Sequence, residues 1–173
     1  MQTFSFWHRK DRQTPKDWSV LQGLSLVRIE SDGCKAYLCF DPSAKLSPED
    51  TPLYLLTVYC CWRLVQNEKV LLDFQEVFHP PEEIENAPTF DYDDWIKQAG
   101  KRSDNWFCKI VRELYQTWPT APCVESIAAN KLGDVCISLS EHLQLQLFAD
   151  GSTYESFFYS LRKRHYGLLL RQP

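Results

Sequence analysis

The chain has 173 residues and a formal net charge of −4, from 19 Lys and Arg against 23 Asp and Glu. With 44% hydrophobic and 24% charged residues it excludes general disorder. The acidic balance argues against a nucleic-acid partner, and no run approaches the ~18 apolar residues of a membrane span.

Residues 1–18 read as a basic arm, carrying Arg9, Lys10, Arg12 and Lys16, that docks through Phe4, Phe6, Trp7 and Trp18 or frays. The start lacks the basic, apolar and small-residue order of a signal peptide, so a cytoplasmic protein is expected. Residues 24–30 and 35–40 flank Ser31-Asp32-Gly33, a turn that predicts a hairpin. Pro42, Pro48 and Pro52 then make a loop. Across residues 53–64, Tyr54, Leu56, Val58, Cys60, Trp62 and Leu64 fall on one face, which predicts one central strand. Asn67-Glu68-Lys69 turns the chain into residues 70–74 as a second hairpin.

From Val70 to Ile96 there is no Lys or Arg, but eight acids. Pro80, Pro81 and Pro88 oppose regular structure, so residues 75–92 are expected to form an exposed acidic loop. A short helical turn over residues 93–99 is expected before Gly100. Trp106, Phe107, Ile110, Val111, Leu114, Tyr115 and Trp118 then recur at helical steps, predicting a long amphipathic helix over residues 104–117. Ser103 or Asp104 would cap it, and Trp118-Pro119 would end it.

The last third alternates again, in residues 135–139 and 143–147. Asp150-Gly151 predicts a further hairpin into residues 153–161. Residues 20–75 and 123–162 share an isoleucine strand, a glycine turn, a cysteine strand and a later aromatic strand. That series reads either as a decayed duplication or as the common look of antiparallel hairpins. The fold class that results is α+β, one domain over residues 1–173, with antiparallel hairpins at both ends packed on one long central helix.

Catalytic fingerprints are absent: no phosphate loop, no dinucleotide motif, no H-E-x-x-H and no G-x-S-x-G occurs. Seven cysteines without a C-x-x-C pair (Cys34, Cys39, Cys60, Cys61, Cys108, Cys123, Cys136) read as reduced thiols, and neither metal nor cofactor is expected. His79, beside Pro80 and the acids, is the best acid–base candidate of four histidines, and an enzyme with a pocket between sheet and helix is the rival function. A structural adaptor subunit is a third. Arg63 could bind a carboxylate or phosphate, but is expected to pair with Asp73 across the hairpin.

The acidic segment carries the functional expectation. Carboxylates steer a basic partner, and aromatic side chains interleaved with them supply short-range affinity. The expected partner-binding residues are Glu76, Glu82, Glu83, Glu85, Asp91, Tyr92, Asp93, Asp94 and Trp95. No catalytic residue is assigned, and self-association is left open.

The run Leu53-Tyr-Leu-Leu-Thr-Val-Tyr-Cys-Cys-Trp-Arg-Leu64, with the turn and Val70-Leu-Leu-Asp73 after it, resembles small bacterial domains of unknown function. Residues 36–40 before it, and residues 143–148 with Asp150-Gly151-Ser152 after it, extend the likeness. Such domains look like the cytosolic immunity proteins encoded beside bacterial polymorphic toxins. The resemblance implies a non-catalytic inhibitor that neutralises a toxin by occluding its active surface, and the acidic segment implies that this partner is basic.

Overall fold

A computed structural model describes residues 18–31, 35–45, 50–59, 61–98, 105–131, 133–148 and 159–163. The basic arm up to residue 17, Cys34, Cys60, Ser103, Asp104 and the Asp150-Gly151 turn lie outside these. The protein is α+β, with two antiparallel sheets. Its strands are β1 (Ser25–Ser31), β2 (Ala36–Asp41), β3 (Tyr54–Val58), β4 (Trp62–Gln66), β5 (Lys69–Asp73), β6 (Val124–Ala129), β7 (Val135–Leu139), β8 (Leu143–Leu147) and β9 (Tyr159–Lys163). One sheet has the order β1-β2-β3-β9 and the other β5-β4-β8-β7-β6.

The first hairpin, the β4–β5 hairpin and the β7–β8 alternation form as their sequences predict. Residues 53–64 do not form one strand. β3 belongs to the first sheet and β4 to the second, so the chain changes sheet between them. Period-2 alternation carries no information about that break, because both halves bury the same parity of residue against the shared core. The strand near the C-terminus is also placed differently from expectation, since β9 pairs with β3 and not with β8.

These two departures are counterparts. In β1–β2 the pairs are Leu26↔Phe40, Arg28↔Cys39 and Ile29↔Leu38; in β6–β7 they are Val124↔Leu139, Ser126↔Ser138 and Ile127↔Ile137. Each ladder has an irregularity near its start, between Leu26 and Arg28 in one and between Val124 and Ser126 in the other. Each three-strand meander then sends its next strand to the other sheet: β4 lies against β8, and β9 against β3. The registers match residue for residue, Tyr54↔Lys163 through Val58↔Tyr159 and Leu143↔Gln66 through Leu147↔Trp62. A bridge between Ser25 and Cys123 joins the starts of the two meanders.

Between the meanders the described residues form three helices, α1 (Glu82–Glu85), α2 (Tyr92–Gln98) and α3 (Trp106–Thr117), where the sequence predicts one long central helix preceded by a short turn over residues 93–99. Only α3, with 12 residues, is of ordinary length, and its N-cap is Asn105, whose side chain accepts from the Cys108 N–H at 2.9 Å. It buries Phe107, Val111 and Leu114, with Trp106 and Ile110 half-buried. Phe107 meets Trp62 edge-on, with centroids 6.3 Å apart. One cluster holds Leu38, Phe40 and Leu56 of the first sheet together with Leu64, Ile137 and Leu145 of the second, so both sheets and α3 share a core.

Candidate binding surface

The acidic segment is more ordered than its prolines suggest. Asp73 Oδ1 accepts from the Gln75 N–H at 2.7 Å and starts a 3-10 turn, Glu76–Phe78, whose Val77 is buried. Pro81 then caps α1, where its missing N–H costs nothing. Asp91 Oδ1 accepts from the Asp94 N–H at 3.0 Å and so starts α2. The acids cluster in the first turns of both helices, which favours them against the helix dipole.

Glu82, Glu83, Glu85, Asp91, Asp93 and Asp94 are all exposed. Glu76 is half-buried. Burial pushes its carboxyl up, the charge of Asp73 adds to that, and His79 opposes it. Tyr92 is 53% exposed. Trp95, by contrast, is buried, and its Nε1–H donates to the Phe78 carbonyl at 3.0 Å. It fastens α2 to the 3-10 turn and offers no surface to a partner. Phe90 packs between the other two rings, 6.3 Å from Tyr92 and 6.1 Å from Trp95. Ile96 was not expected at this site, yet it is exposed one turn after Tyr92. The four-residue step between them is the signal that could have found it. The result is an apolar pair, Tyr92 and Ile96, set among carboxylates on a short helix whose opposite side is anchored.

Two concavities bear on the enzyme alternative and on Arg63. One of about 520 Å³, between α1 and α3, is lined by Pro81, Glu83, Ile84, Lys109, Arg112 and Glu113 and carries both signs of charge. The other, of about 580 Å³, lies on the outer face of the five-stranded sheet. There Arg63 faces away from buried Trp62, as the alternation requires, and stands opposite Asp73 in the ladder. The expected ion pair with Asp73 is not what holds it. Its Nε–H donates to Gln146 Oε1 at 2.7 Å, and the guanidinium lies over Phe148 at 5.0 Å. Gln146 in turn donates to Gln144 at 3.0 Å. A guanidinium that can stack and hydrogen-bond along the sheet face has no need of the carboxylate on the edge strand.

His79 is exposed and lines neither concavity. Its carbonyl accepts the Trp106 N–H at 3.0 Å, which ties the 3-10 turn to the start of α3. Among the described residues, no group of three or more His, Cys, Asp or Glu could hold a metal ion. No helix among them is long and apolar enough to cross a membrane.

Comparison with family models, curated proteins and solved structures finds no match to this chain. The reading of the surface therefore stands on its chemistry.

Proposed function

We propose that the protein is a non-catalytic, cytosolic binding protein, most concretely an immunity-type inhibitor that neutralises a basic bacterial toxin domain by covering its active surface. One observation carries this reading: Tyr92 and Ile96 are exposed one turn apart on α2, in a segment whose Glu82, Glu83, Glu85, Asp91, Asp93 and Asp94 are exposed as well. Carboxylates raise the encounter rate with a cationic surface, and an exposed aromatic side chain supplies the area that a formed complex buries. Trp95 holds the helix in place, so the surface is organised before a partner arrives and loses little entropy on binding.

The test is capture of the product of the adjacent gene, followed by association kinetics across a salt series. Glu82→Gln, Glu83→Gln and Glu85→Gln together should slow association, while Tyr92→Ala should mainly hasten dissociation. An association rate that ignores both salt and the triple variant would overturn the reading.

A further inference from the structure

The two meanders give a controlled comparison of their outer edges. In β1, Ile29 stands opposite Leu38, and both of its backbone polar groups point away from β2. They meet the Tyr115 hydroxyl of α3, which accepts the Ile29 N–H and donates to the Ile29 carbonyl at 3.4 Å. That edge is closed. Ile127 occupies the same place in β6, opposite Ile137, but among the described residues no helix packs on it as α3 packs on Ile29.

The phase of the ladder fixes which groups of β6 are open. The Phe148 N–H donates to the Cys61 carbonyl at 2.9 Å, so that pair is hydrogen-bonded, and bonded pairs alternate along an antiparallel ladder. The backbone groups of Leu145 and Leu147 therefore turn to β7, where they meet Ile137 and Val135. Ile127 and Ala129, opposite these two across β6–β7, then direct their N–H and C=O outward. Among the described residues nothing meets them. The stretch is bounded on one side, where the irregularity at Glu125 bends the strand and Gln22 Nε2 donates to the Glu125 carbonyl at 3.3 Å.

We infer that β6 pairs with β6 of a second copy of this chain, antiparallel about a two-fold axis at Ala128. In that register Ile127 bonds to the partner's Ala129, and Ala129 to the partner's Ile127, so all four open groups of each copy are used. Ala128 faces its own counterpart at the axis, a close, non-hydrogen-bonded position where a methyl group fits. Ser126 and Ala128 are exposed and small, so no side chain blocks the approach. The same register carries exposed Glu125 of each copy toward exposed Lys131 of the other, twice per dimer. A self-complementary patch of this kind is what a two-fold interface needs. The two five-stranded sheets would then continue into one another.

The experiment is analytical ultracentrifugation of the full chain over about a hundredfold range of concentration, because a dimer responds to protein concentration by mass action. The wild type should shift from monomer to dimer, and amide exchange at Ile127 and Ala129 should slow as it does. Ala128→Lys places like charges together at the axis and should weaken the dimer about tenfold or more. Its unchanged thermal midpoint would show that the fold is intact. Glu125→Lys and Lys131→Glu should each weaken the dimer, and the double variant should restore it. A monomer at every concentration, a dimer indifferent to Ala128→Lys, or a double variant no better than the singles would overturn the inference.

Discussion

The two meanders share a ladder and differ in what is attached to it. Among the described residues, the first is followed by β4, β5 and three helices, and its outer strand is closed by Tyr115; the second turns directly from β7 to β8 at Glu141 and His142 and leaves the outer groups of Ile127 and Ala129 unmet. The connection between β2 and β3 is long and held by a buried carboxylate, while that between β7 and β8 is three residues with two at positive φ. The repeated ladder is what the core requires, since equivalent strands bury equivalent side chains. The unequal attachments are where a surface can be given a task without disturbing that core.

The comparison breaks first at matched core positions. Leu38 and Ile137 are both fully buried and sit at the same place in their meanders. Truncating either to alanine should cost about 2–5 kcal/mol in urea denaturation, and similar losses would show that the halves melt together. A next, smaller effect belongs to the first meander alone. Asp41 is buried and accepts from the Ser43 and Leu53 N–H groups, both at 2.9 Å. Asp41→Ala strands those donors and should cost about 1–3 kcal/mol by the same measurement.

Tyr115→Phe opens the closed edge and should cost about 0.5–1.5 kcal/mol, with faster amide exchange at Ile29. The Tyr115 hydroxyl is pushed up to about 12, chiefly by burial, with the Ile29 backbone bond opposing. An acid whose folded pKa is raised adds stability below its unfolded pKa of 10.0 and loses it as the pH climbs toward 12. Wild-type stability should therefore fall across that window more steeply than that of Tyr115→Phe. Smallest of all, Glu82→Gln, Glu83→Gln and Glu85→Gln together should leave the thermal midpoint nearly unchanged, since exposed charges usually contribute within about 0.5 kcal/mol each. A larger loss would mean that the acids hold α1 in place instead of serving a partner.

Elements set by local chemistry were legible from the sequence. The β7–β8 alternation, the Asn67-Glu68 turn and the apolar stripe of α3 each need only neighbours within a few residues. What failed was set by distance along the chain. Nothing between Val58 and Trp62 resembles a turn, yet the strand changes sheet there, because β4 finds its partner in β8 some eighty residues on. Trp95 looked like an exposed anchor because its neighbours are acids; that Phe78 would offer it a carbonyl is a tertiary fact. Six of the acids were placed on the surface as expected, and Glu76 was not, because the buried Val77 draws its turn inward.

The exchange of β4 and β9 between sheets has a consequence for how the protein is made. β3 must wait for β9, and the segment between them is about a hundred residues, which a ribosome needs roughly 5–20 s to add. During that interval β3 is an unpaired hydrophobic edge at the rim of an unfinished sheet, with Leu56 and Val58 destined for the interior. The second sheet, whose last strand is β8, is complete sooner. Released chains ending at residue 148 should therefore hold the five-stranded sheet and bind chaperones through the first one, and chains that extend past residue 163 should not.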